Sequence, residues 1–211
     1  MKTIIAVTFI GILTYACDEK SSERGPTECN VTAMANFDSE KYLKFFPAYT
    51  THSKYKGLTV CRLFKSATKS CDTADTTIIG YYQLSDVGGI QNYEMVCSTS
   101  EEEYKKGQFF TECKTVKDSL FGDLRNSLSI KIYMSVDDTD YENYAIRYNC
   151  IKEEKGILDN YEVLQKNPTA CGEINELIKE ALNKRCENFD EFISMNTTYC
   201  QKHDISLKKE K

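Results

Sequence analysis

The sequence predicts a mainly β protein, with eight antiparallel strands closing as an up-and-down barrel and one C-terminal α-helix behind them. Three observations predict it. Leu128, Ile130, Ile132, Met134 and Val136 alternate with Ser127, Ser129, Lys131, Tyr133 and Ser135, and a pleated strand sends alternate side chains to opposite faces. After the polar break Asp137-Asp138-Thr139-Asp140, alternation resumes with Tyr144, Ile146, Tyr148 and Cys150 against Asn143, Ala145, Arg147 and Asn149. That stretch reads as a long hairpin whose apolar face covers a core or a cavity. Beyond Pro168 the period changes: Ile174, Leu177, Ile178, Ala181 and Leu182 recur at helical spacing. Closing the sheet removes its exposed edges, and a barrel of this size holds side chains or one small ligand. A two-sheet sandwich is the alternative.

In chain order, residues 1–16 have a basic start at Lys2, an apolar run to Leu13, and the small residues Thr14 and Ala16. This is the pattern of a secretory signal, too short to span a bilayer. Residues 17–28 are polar and read as a flexible lead-in to a single domain over 29–211. Asp38 is suited to cap a short helix or 3₁₀ turn at 39–43. Candidate strands follow at 46–54, 58–68, 75–84, 90–102, 107–117, 127–136, 141–152 and 156–165, joined by short connections except the one before Ser127. A helix is expected over 171–185 with Thr169 as its cap, and Phe189, Phe192 and Ile193 suggest one more helical turn. The basic end, residues 208–211, reads as solvated.

Composition narrows the function. A formal net charge of −5 argues against a nucleic-acid partner, and no apolar stretch after the leader suggests a membrane anchor. Ten cysteines in a secreted chain read as a disulfide framework. Metal is not expected: no C-x-x-C pair occurs, and His52 and His203 stand far apart. Cys97 and Cys113 fall opposite one another across a tight turn centred near Lys105. Asn30 and Asn196 each open an acceptor pattern for N-glycosylation. No nucleophile elbow, metalloprotease helix, P-loop or dinucleotide fingerprint is present, so the chain is not read as an enzyme. Asp137, Asp138 and Asp140 lack EF-hand spacing and read as a polar turn. Glu101-Glu102-Glu103 reads as a solvated strand end.

Asn36-Phe37-Asp38-Ser39-Glu40-Lys41-Tyr42 is similar to the lipocalin entry motif, and Leu158-Asp159-Asn160-Tyr161-Glu162-Val163-Leu164 to the family's last strand. Phe189-Asp190-Glu191-Phe192-Ile193, Cys200 and Asp204-Ile205-Ser206-Leu207-Lys208 resemble its C-terminal signature. The chain therefore resembles a lipocalin, and more narrowly the salivary lipocalins of blood-feeding bugs, the group of triabin, pallidipin and the nitrophorins. The Gly-x-Trp that usually continues the entry motif is missing, so Phe45, Phe46 or Tyr49 is expected to pack the barrel floor. Nitrophorins carry a haem-ligating His on the third strand. The matching stretch here places Tyr81 near that position, where packing is the expected role, and no haem or other cofactor is expected.

The resemblance implies the disulfides Cys29–Cys150 and Cys61–Cys200. In such a barrel the loop holding Cys71 shares an end with the close of the eighth strand, which suggests Cys71–Cys171 and leaves Cys17 for Cys186. The resemblance also implies a secreted monomer with one of two functions. One is docking onto a host haemostatic protein. The other is holding a small hydrophobic ligand such as an eicosanoid, or an amine, inside the barrel. Candidate lining residues are Leu128, Ile130, Ile132, Tyr144, Ile146 and Tyr148, unless they fill the barrel completely. By the family's topology the mouth is framed by loops at 54–57, 85–89, 118–126 and 153–155. The third carries Leu120, Phe121 and Leu124, the candidate contacts for a partner.

Overall fold

The structure, a computed structural model, describes residues 28–55, 57–86, 88–123, 129–154 and 156–202. Helix α1 (Ser39–Phe45) leads into β1 (Ala48–Ser53), β2 (Thr59–Lys69), β3 (Thr73–Tyr82), β4 (Gln91–Ser100) and the four-residue α2 (Glu101–Tyr104). Then come β5 (Gln108–Asp118), the two-residue β6 (Gly122–Asp123), β7 (Ile130–Thr139), β8 (Tyr144–Glu153) and β9 (Gly156–Gln165). Helix α3 (Glu173–Asn183), a 3₁₀ turn at Phe189–Glu191 and β10 (Ile193–Ser194) follow. Strands β1 to β5 and β7 to β9 pair antiparallel in order, and β9 returns to β1, so eight strands close on themselves. The short β6 and β10 attach to β5 and β1. Closure rules out the sandwich.

The closed end is built by α1. The Asp38 carboxylate accepts from the Glu40 and Lys41 amides and starts the helix. Tyr42 and Phe45 on its inner face are buried. Their rings gather with Phe46, Phe64 and Tyr104 at centroid distances of 5.2 to 6.3 Å, which floors the barrel without a tryptophan. Tyr49 turns outward, to Cys61 and Leu63.

The β7–β8 hairpin departs from expectation. Next to the turn, Thr139 opposes Ala145 and Asp138 opposes Ile146. A bulge at Asp137 then slips the register, so that Val136 opposes Arg147 and Met134 opposes Asn149. Directly opposed residues share a face, and a one-residue slip sends the partner's side chains to the other side. The apolar row of β7 therefore points into the barrel, and that of β8 points out. Tyr144, Ile146 and Tyr148 pack outside, with Val163, against Ile178, Ala181 and Leu182 of α3 and against Phe189 and Phe192. Burying each aliphatic chain there contributes about 1.5–3 kcal/mol.

Other local expectations shift for identifiable reasons. Asp137 is not part of the hairpin turn: it is buried outside the barrel, 2.5 Å from the Arg185 guanidinium. Asp140 builds the turn, its carboxylate accepting from the Glu142, Asn143 and Tyr144 amides. The three glutamates at 101–103 form α2, capped by Ser100, and Glu101 pairs with Lys69 and Lys105. Helix α3 starts after Gly172 with no side-chain cap, while the Thr169 amide donates to Asn167 instead.

Disulfides tie both ends of the described chain to the barrel. Cys29–Cys150 and Cys61–Cys200 span 121 and 139 residues, and loops of that length are worth roughly 5 kcal/mol in chain-entropy models. Cys97–Cys113 links β4 to β5. Cys71 and Cys171 are not joined; both are free and exposed. Their turns share the closed end, but α1 stands between them. Lys69 reaches Glu40 at the start of that helix, and Lys166 reaches the Lys44 carbonyl at its close. Cys186 is disulfide-bonded; Cys17, its expected partner, lies outside the described residues, as does the leader.

Candidate ligand cavity

The inner rows of β2, β3 and β4 bring Arg62, Gly80 and Tyr93 side by side. A Cβ on Gly80 would collide with the Tyr93 ring as it lies here, so the glycine makes room for that ring. That ring crosses the gap so that Arg62 Nε donates to Tyr93 Oη at 3.2 Å. The Arg62 guanidinium also pairs with Glu162 and donates to Thr59. Glu162, 2% exposed, holds the Arg62 guanidinium more firmly protonated. Its second oxygen accepts from Asn149 at 2.8 Å and lies 3.6 Å from Arg147 Nη2. Arg147 donates to Asn149 Oδ1 at 3.1 Å and stacks 4.3 Å from the Phe64 ring centre. Two cations, Arg147 buried and Arg62 half-buried, thus share the Glu162 carboxylate.

That wall borders a cavity of about 200 Å³, with Met95, Ile132, Met134, Ile151 and Leu158 on its apolar side. A ligand there would meet hydrocarbon around its body and guanidinium at one flank, which suits an apolar molecule with an anionic group. Glu162 is engaged by Arg62, Arg147 and Asn149. The nearby Asp159 accepts from Tyr148 on the outer side. Glu162 is thus the more fully engaged of the two carboxylates that line the cavity.

Of the expected lining residues, Ile132 borders the cavity. Ile130 is 43% exposed, and Leu128 lies outside the described residues. Tyr144, Ile146 and Tyr148 do not line it, for the register reason above. Sequence reading missed Arg62, Arg147 and Glu162; the polar set of β8, Arg147 and Asn149, carried the signal. Tyr81 faces outward, 6.1 Å from the Tyr199 ring, so the third-strand position compared with the haem ligand does not look into the barrel. At the mouth, the Asp118 carboxylate accepts from Tyr82 and from the Leu120 and Phe121 amides. This turn presents Leu120 at 39% and Phe121 at 67% exposure; Leu124 lies outside the described residues. Asn30 and Asn196 are exposed. Among the described residues, no cluster of His, Cys, Asp or Glu is placed to hold a metal, and no helix is long and apolar enough to cross a membrane.

Comparison with known proteins places this geometry among relatives. The family model described as Triabin matches residues 19–173. Pallidipin of Meccus pallidipennis is 34% identical over 166 residues, covering 78% of this chain and 81% of that protein. Platelet inhibitor triplatin-2 of Triatoma infestans is 28% identical over 202 residues, covering 95% and 100%. The amine-binding protein of Rhodnius prolixus, solved with tryptamine, superposes with a TM-score of 0.62 at 15% identity, over 78% of this chain and 84% of that one. A mutant of LTBP1 in complex with leukotriene C4 gives 0.54 at 20% identity, over 82% and 97%. Both solved structures share the barrel fold.

Proposed function

The chain belongs to the Triabin family of triatomine salivary lipocalins, which are binding proteins and not enzymes, and from that premise we propose that it counters host haemostasis by sequestering a small mediator in its barrel. The mediator is of the eicosanoid class: an apolar body with a carboxylate. One observation carries this reading, the cavity of about 200 Å³ whose apolar side faces two guanidinium groups, while its carboxylates are already engaged, Glu162 by both arginines and Asp159 by Tyr148. Relatives of the fold hold tryptamine in one case and leukotriene C4 in another. The charge inventory of this cavity favours the second kind of ligand. The platelet inhibitor among the relatives supports the haemostatic setting.

The test is platelet aggregation triggered by arachidonate, beside plasma clotting time. The protein is expected to suppress arachidonate-induced aggregation at concentrations near those of the mediator formed, with clotting time unchanged. A second reading, docking onto a host haemostatic protein, is favoured by the exposed pair Leu120 and Phe121. Prolonged clotting that the double variant Leu120→Ala, Phe121→Ala restores to normal would replace the first reading with this one.

A further inference from the structure

Below the ligand cavity, toward α1, lies a second void of about 20 Å³. That is the size of one water molecule, and equally of one carboxylate oxygen. Tyr42, Tyr104 and Arg147 line it, exposed by only 2%, 4% and 5%. Among the described residues, Tyr104 Oη has no hydrogen-bond partner, and Tyr42 Oη and Arg147 Nε have none of ordinary geometry, although the Arg147 side chain lies close enough to Tyr42 to interact with it. Buried polar groups are almost always satisfied, so three such groups around one void call for an explanation. Two other polar groups on the same wall are committed: Thr99 donates to the Phe110 carbonyl and Thr111 to the Ser98 carbonyl.

The three groups have one character. Burial pushes the Tyr42 phenol above its ordinary pKa, an effect only partly offset by the charge and the polar contact of the neighbouring Arg147. Burial likewise pushes Tyr104 well up. Both phenols keep their protons at neutral pH and are O–H donors, beside an N–H donor that carries charge. The void and the larger cavity share Ile78, Met134 and Arg147 as a common wall. Met134 is an unbranched, adaptable side chain, so a group entering from the mouth reaches the void by displacing a thioether.

Resting on the reading that the barrel holds an amphipathic carboxylate, we propose that the ligand enters head first. One carboxylate oxygen comes to rest between Tyr42, Tyr104 and Arg147, and the tail lies along Met95 and Ile132 toward the mouth. The incoming carboxylate gives Arg147 an anionic partner of its own beside Glu162, which Arg147 shares with Arg62. The pocket thereby selects acids over esters of the same tail and rejects amines.

Calorimetric titration with decanoate, methyl decanoate and decylammonium separates head from tail. Decanoate is expected to bind at least about tenfold more tightly than the other two, as charge-assisted hydrogen bonds would give. The double variant Tyr42→Phe, Tyr104→Phe keeps the rings and should narrow the gap between acid and ester severalfold, leaving the ester unchanged. Arg147→Met should abolish the preference; if it fails to fold, the tyrosine pair still decides. Equal binding of acid and ester, an acid-to-ester ratio unmoved in the tyrosine variant, or tightest binding of decylammonium would overturn the orientation while the barrel remains a small-molecule trap. Binding of none of the three to folded protein would overturn both readings together.

Discussion

The two faces of β8 are both buried and serve opposite ends. Outside, Tyr144, Ile146 and Tyr148 lie under α3 and hold it to the barrel. Inside, Arg147 and Asn149 face the cavity with Glu162. An apolar alternation therefore reports which face is covered, and not which face lines the interior. Here the helix covers the apolar side, and the polar side is the one available for recognition.

Substitutions on each face should separate stability from binding. The largest effect is expected for Glu162→Leu on the inner side. It leaves the buried Arg147 and the half-buried Arg62 without their shared carboxylate, and breaking a buried pairing costs about 3–5 kcal/mol. Urea denaturation with the disulfides intact measures it, and a loss under 1 kcal/mol, on the order of a surface pair, would show the network to be solvated. On the outer side, Ile146→Ala should cost about 2–5 kcal/mol while the folded fraction binds ligand as before. A still smaller effect is expected where the C-terminal segment rests on β1. His52 packs 4.6 Å from the Phe189 ring, and burial lowers its pKa below 6.5. The unfolded chain takes up the proton first, so stability is retained above pH 6.5 and falls as pH drops below that value toward the lowered pKa of the folded chain. Replacement by Asn should flatten that slope in denaturation midpoints measured between about pH 7.5 and 5.

All eight barrel strands, α1 with its Asp38 cap and the C-terminal helix were legible, because periodicity and capping are local properties. The Cys97–Cys113 opposition was legible too, from turn symmetry alone. The site was mostly not. Its charged members sit on β2, β8 and β9 and meet only after closure, and the bulge at Asp137 that turns Arg147 inward has no local sequence mark. A polar residue in a strand reads as solvent-facing until the register is known. Likewise Cys71 and Cys171 share an end of the barrel, but the helix between them is a tertiary fact.

On the proposed function, the inner row of the hairpin, and not the outer one, forms the ligand site. Decanoate affinity in Ile132→Trp and Ile146→Val tests it directly, since one fills the cavity and the other trims the outer packing by a single methyl. Loss of binding is expected in Ile132→Trp, and an affinity within about twofold of the parent in Ile146→Val. Retained binding in a folded Ile132→Trp, or loss of it in a folded Ile146→Val, would contradict it.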